Sequence, residues 1–169
     1  MRRALLGTVV PALVAGLLLT ASREAAAGPS IGADFNLGKP VGDTGGSLTT
    51  GIDGRLGYRI GLGPIFLEPE IGGGYLAFSG SGASQHLERV FAGGRFGLGG
   101  LVQPQIYGHG GYGWITSDLH GPEGDVGFAL NFKLIPYFHF GAQVGYNVVS
   151  TDFGAAKWVN FGLNAGVTF

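Results

Sequence analysis

Read in steps of two, this chain separates almost throughout into an apolar face and a polar or small one. From Ala156 to the last residue, Val159, Phe161, Leu163, Ala165, Val167 and Phe169 share one face, while Trp158, Asn160, Gly162, Asn164, Gly166 and Thr168 share the other. A two-residue period is that of a β-strand, whose successive side chains point to opposite sides. The same alternation runs through Ile31–Leu37, and most clearly through Leu48–Ile60, where Asp53, Arg55 and Arg59 all fall on one side. It recurs over Ile65–Tyr75, Arg89–Leu98, Pro104–Thr116, Val126–Ile135 and Phe138–Val148, and the closing segment makes the eighth strand. Pro69 lies inside the third strand and predicts a local distortion there, because proline lacks a ladder N–H.

Turn chemistry divides the strands unequally. Gly61–Pro64, Gly99–Gln103 and Ile135–Pro136 predict short reversals, whereas Lys39–Ser47, Ser79–Gln85, Ser117–Gly124 and Ser150–Ala155 predict longer loops. Each strand is long enough for the roughly 9–11 residues that a tilted transmembrane strand needs.

Composition then decides what such strands face. Only 12% of residues are charged, about half the usual quarter of a soluble domain, yet no segment beyond residue 27 is apolar for long enough to be a membrane helix. The 35 glycines suit strands and turns better than helices. Residues 1–27 read as a secretory signal peptide: Arg2 and Arg3 precede an apolar run from Ala4 to Thr20, and Ala25, Ala26 and Ala27 offer small residues for cleavage. The mature chain, 28–169, carries seven basic and ten acidic residues, a balance that excludes a nucleic-acid partner. There is no cysteine, which excludes a lipid-anchored cysteine and a disulfide scaffold.

The terminal segment resembles the closing strand of bacterial outer-membrane β-barrels, with Phe161, Leu163, Val167 and the final Phe169 as the signal read by the assembly machinery. The mature region as a whole resembles the small eight-stranded outer-membrane family that includes the outer-membrane protein A transmembrane domain and the protein X barrels. The resemblance implies an all-β, antiparallel, up-and-down transmembrane barrel with both termini periplasmic, short periplasmic turns and longer external loops. It also implies a monomer in contact with outer-membrane lipid and lipopolysaccharide, without a cofactor. A soluble, lipocalin-like barrel is the competing fold. It would need its charged face outward, and the small, sparsely charged face here suits a narrow interior better than a wet exterior. Tyr75, Tyr112, Trp114 and Tyr146 near the external ends, with Tyr58, Phe96 and Phe138 near the others, match the two aromatic girdles of such barrels.

An eight-stranded barrel is just wide enough inside for side chains to fill it, so charges on the second face must pair. Pairing across the 61–64 turn sets Arg55 opposite Glu70, and the next pairing brings Glu70 near Arg95. This predicts an Arg55, Glu70, Arg95 ladder extended by Asp34, Asp53, Arg59, Glu68, Arg89 and Lys133. Either the ladder crosses the lumen and blocks water, or the charges stand solvated within it. His109 and His139 also point inward by parity, without a third ligand for a metal. Ser84, His86 and Glu88 are spaced by two on the lipid-facing parity and offer a nucleophile, base and orienting acid, but such spacing spreads three side chains over about 13 Å and strains a relay, so they suit polar anchoring at the headgroup level better. Ser117, Asp118 and His120 make a weaker cluster. Trp114 and Trp158 suit membrane anchoring better than carbohydrate stacking. The expected role is therefore non-enzymatic, structural or surface-interacting; a narrow pore for small solutes ranks second and an outer-leaflet lipid A hydrolase third.

Overall fold

The computed structural model describes residues 27–41, 48–78, 85–116, 119–151 and 154–169. The segment read as a signal peptide lies outside them, apart from its last residue. Eight strands follow in order: β1 (Gly28–Pro40), β2 (Thr49–Leu62), β3 (Ile65–Phe78), β4 (Gln85–Leu98), β5 (Val102–Thr116), β6 (Leu119–Ile135), β7 (Phe138–Thr151) and β8 (Gly154–Thr168). Each pairs antiparallel with its sequence neighbours, and β8 returns to β1, so the sheet is a closed barrel with no free edge.

The strands are staggered as well as closed. Cross-strand partners lead from Ser30 through Gly57, Glu70, Gly93, His109, Asp125, Asn147 and Trp158 to Pro40, ten residues further along β1 than the start. Such a shear tilts the strands and lets side chains of distant sequence meet at one level of the lumen.

The alternation read from the sequence sorts side chains between lumen and exterior. Ile52, Ile71, Val126, Phe161 and Leu163 are each at least 60% exposed, and every one faces outward. In water this belt would be one continuous sticky surface; in a hydrocarbon layer it is the matching one. From Phe138 to Tyr146 on β7 the belt covers roughly 26 Å of strand, or about 20 Å along the membrane normal at a tilt of about 40°.

The ends differ from the predicted loops in two places. Most of the predicted 117–124 loop is strand: β6 already begins at Leu119 and pairs Tyr112 with Pro122, Gly113 with Gly121 and Trp114 with His120, while 117 and 118 lie outside the described residues. Pro122 is tolerated because pairing with β7 starts only at Glu123, so no bond is forfeited on that side. Likewise β7 runs to Thr151 and β8 starts at Gly154, which shortens the last connection. At Pro69 the expected distortion is a gap rather than a bulge. Pairing with β2 lapses opposite Tyr58 and Arg59 but resumes in unchanged register at Ile60 and Leu67.

The opposite end is tightly turned. Gly63, at φ 73°, and Pro64 link β2 to β3. Pro136 and Tyr137 link β6 to β7, and Tyr137 has φ 77°, the left-handed value that a type II turn requires after proline and that usually selects glycine. Its carbonyl accepts from Thr168 N at 2.7 Å, which ties the turn to the closing strand. Phe169 N donates to Pro29 O at 3.0 Å, so the β1 start and the β8 end are joined here.

Candidate functional site

The lumen is built in tiers from the inward residue of every pleat. Nearest the tight turns, Arg59 donates from Nε to Glu68 Oε2 at 2.8 Å and from Nη1 to Gln103 Oε1 at 3.1 Å. Ser30 Oγ donates to the other Glu68 oxygen at 2.6 Å. His139 is buried nearby, on β7.

The middle tier centres on Glu70. Its carboxylate takes Arg95 Nε at 2.8 Å, Arg55 Nε at 3.2 Å and the ring of His109 at 2.6 Å. Asp34 pairs with Arg55 and lies 3.5 Å from Arg95 Nη2. The other His109 nitrogen meets Asp125 Oδ1 at 2.7 Å. An ionised carboxylate only accepts and a neutral imidazole donates from one nitrogen, so this triplet holds one extra proton if both contacts are hydrogen bonds. Gly93 makes the bridge possible, since a Cβ there would come within 2.7 Å of the His109 ring.

Above it, Arg89 grips Asp53 with two bonds of 2.9 Å and reaches Asp125 at 3.1 Å and Glu123 at 3.7 Å. A planar guanidinium suits such forked contacts. Three arginines are also capped by aromatic faces: Arg59 by Phe66 at 4.1 Å, Arg89 by Phe91 at 5.0 Å and Arg95 by Tyr107 at 4.9 Å.

Two further features complete the interior. The β7–β8 side carries amides: Gln143 and Asn160 both donate to Asn36 Oδ1, at 3.1 and 3.2 Å, and Asn147 donates to Asn160 at 3.1 Å. At the end opposite the tight turns Leu76, Leu87, Ile115, Val149 and Trp158 turn inward and pack into a buried apolar cap, with Phe78 edge-on to Trp158 at 6.1 Å. The charges thus lie below an apolar lid.

The sequence-predicted residues fall as follows. Asp34, Asp53, Arg55, Arg59, Glu68, Glu70, Arg89 and Arg95 are all buried inside the barrel. Arg55 is not opposite Glu70, however; it stands opposite Gly72, and Glu70 stands opposite Gly57. Gly63–Pro64 is a two-residue turn, so the true register differs by two residues from the predicted one, and the Arg55 side chain reaches Glu70 diagonally. Lys133 lies at the other mouth, beside Arg59, Tyr137 and Phe169, in the wall of a cavity of about 190 Å³. Asp125, Glu123 and the apolar cap are additions that the predicted ladder lacked.

Tyr58, Tyr75, Phe96, Tyr112, Trp114, Phe138 and Tyr146 face outward and are between 36% and 49% exposed, in two groups at opposite ends. Phe161, Leu163, Val167 and Phe169 lie on the outer face of the closing strand or just past it. His86 stacks on Tyr75 at 5.4 Å, and His120 shares a 2.6 Å hydrogen bond with Tyr112; Ser84, Ser117 and Asp118 lie outside the described residues. Trp158, by contrast, is an interior residue of the cap and 2% exposed.

No protein-family model matches this sequence, and no curated protein matches it. Solved structures do resemble it. Neisserial surface protein A superposes with a TM-score of 0.62 at 13% identity, over 85% of this chain and 99% of that one. Ail, the attachment invasion locus protein of Yersinia pestis, gives 0.52 at 18% identity over 85% and 97%. The N-terminal β-barrel domain of Pseudomonas aeruginosa OprF gives 0.50 at 16% identity over 85% and 100%. The fold is that of the small eight-stranded outer-membrane barrels.

Proposed function

We propose that the chain is an integral outer-membrane barrel with a closed lumen, acting in envelope structure or surface contact through its external end. The observation that carries this reading is the filled cross-section: Glu70 holds Arg55, Arg95 and His109 across the barrel, beneath the Trp158 cap. A lumen closed twice over, by paired charge and by apolar packing, is poorly suited to bulk solute passage, which leaves the outer surface and loops as the working parts. Ail is an attachment invasion protein and the Neisserial protein a surface protein, which supports a surface role for the same fold.

The reading includes export by residues 1–27, recognition of the Phe169 strand by the assembly machinery, lipid and lipopolysaccharide as surroundings, and a monomer with both termini periplasmic. A narrow pore is the second reading. It is favoured by unpartnered amide atoms of Gln105, Asn131 and Asn164 on the wall of β5, β6 and β8, which would suit small polar solutes. Osmotic swelling of proteoliposomes separates the two. Vesicles carrying the refolded barrel should swell no faster in a small neutral sugar than empty ones; swelling that falls with sugar size would establish the pore.

A further inference from the structure

The outer face is nearly stripped of charge, and what is left is placed unevenly. Of the chain's ten basic residues, Arg2, Arg3 and Arg23 lie outside the described residues, four arginines are buried in the lumen, and Lys133 lies at the tight-turn mouth. The other two, Lys39 and Lys157, both face outward at the external rim, on the strands β1 and β8 that close the barrel. Lys39 stands opposite Val159, and Val41 N donates to Lys157 O at 2.9 Å, so the two lysines are diagonal neighbours on one face. Their Cβ atoms are then no more than about 8 Å apart. Two flexible ammonium arms at that spacing can converge on one anion. Both are exposed, and neither has a carboxylate partner among the described residues.

Their height identifies the anion. Val159, beside Lys39, also pairs with Tyr146 of the external aromatic group, so the lysines lie just beyond the girdle, at headgroup level. Directly below them the same seam presents Leu37, Phe161 and Leu163, between 40% and 66% exposed. An apolar column topped by a double positive charge is the imprint of an anionic amphiphile. The far side of the rim differs: it carries Glu88, the one outward-facing carboxylate among the described residues, with His86 and His120. Phosphate would be repelled there and drawn to the seam.

We propose that Lys39 and Lys157 clamp the phosphate of an outer-leaflet glycolipid whose acyl chains lie along Leu37, Phe161 and Leu163. The assignment rests on the outer-membrane reading above. A lipid held this way staples β1 to β8 where the barrel closes, and because it binds only the folded barrel it stabilises that state.

Native mass spectrometry of the detergent-extracted protein tests the clamp, with a bis-phosphorylated lipid A and its dephosphorylated counterpart as probes and inorganic phosphate as competitor. The protein should retain the phosphorylated lipid in preference to the dephosphorylated one. A Lys39→Gln/Lys157→Gln variant should lose roughly 30-fold in affinity, equivalent to about 1 kcal/mol per lysine, while the Lys39→Arg/Lys157→Arg variant retains it. Both variants should keep the heat-modifiable mobility of a folded barrel. Equal retention by the Gln variant, indifference to the lipid phosphates, or full competition by millimolar inorganic phosphate would overturn the assignment. Cell fractionation distinguishes the deeper failure: a protein absent from the outer membrane refutes the location, whereas one present there but indifferent to lipid phosphate refutes the clamp alone.

Discussion

Glu70 is the residue whose removal should be felt most. It is 3% exposed and accepts from three cationic or hydrogen-bonding partners, at 2.6, 2.8 and 3.2 Å. Glu70→Gln keeps the volume but deletes the charge, leaving Arg55 and Arg95 to share Asp34 alone. Breaking one member of a buried ion pair costs about 3–5 kcal/mol, since an uncompensated charge stays behind. Asp34 already touches both guanidiniums, so the lower part of that range, about 3 kcal/mol, is expected. The measurement is urea unfolding of the barrel refolded into lipid vesicles, followed by the fluorescence of its two tryptophans. Adding Arg95→Met to Glu70→Gln should restore part of the loss, because the pair is removed together. A Glu70→Gln change below about 0.5 kcal/mol would refute the account, for it would mean that water solvates these charges and the lumen is not dry.

Three other outcomes follow from separate parts of the barrel. Trp158→Ala should cost about 3–5 kcal/mol in the same unfolding assay, because it empties the centre of the apolar cap; a loss below 1 kcal/mol would mean that the cap does not pack as described. Ile71→Arg places a charge on the outward face near mid-barrel and should cost about 2–4 kcal/mol in vesicles. A neutral result there would point to water outside the barrel. Tyr137→Gly should be about 1 kcal/mol more stable than Tyr137→Ala, since the turn demands a positive φ, and equal stabilities would show that the turn relaxes without cost.

Strand number and facing were legible because one pleat in two meets lipid, and that constraint writes a two-residue period into nearly every strand. Register was less so. Gly61 and Leu62 resemble turn residues, yet they belong to β2, and Leu62 pairs with Ile65. Only the two-residue link at Gly63–Pro64 fixes which side chains sit opposite. Arg55 still reaches Glu70, at 3.2 Å, because arginine and glutamate are long enough to bridge diagonal neighbours.

The cap was invisible for a different reason. Leu76, Leu87 and Val149 all lie on strand ends beyond where alternation was read, and there they carry apolar side chains on the inward parity. An apolar residue on the charged face looks like the end of a pattern rather than its continuation. Asp125 was missed similarly, since Gly121 and Pro122 resemble a loop while pairing with β5 continues through them. The positive φ of Tyr137 had no sequence signal beyond the preceding proline.

The central claim is that the interior is closed by its own side chains, and single-channel recording in a planar bilayer tests it most directly. The refolded, demonstrably folded barrel should be silent, with steps appearing only when Glu70 is replaced by Ala. Regular conductance steps from the unmodified protein would contradict the account and make the lumen a pore.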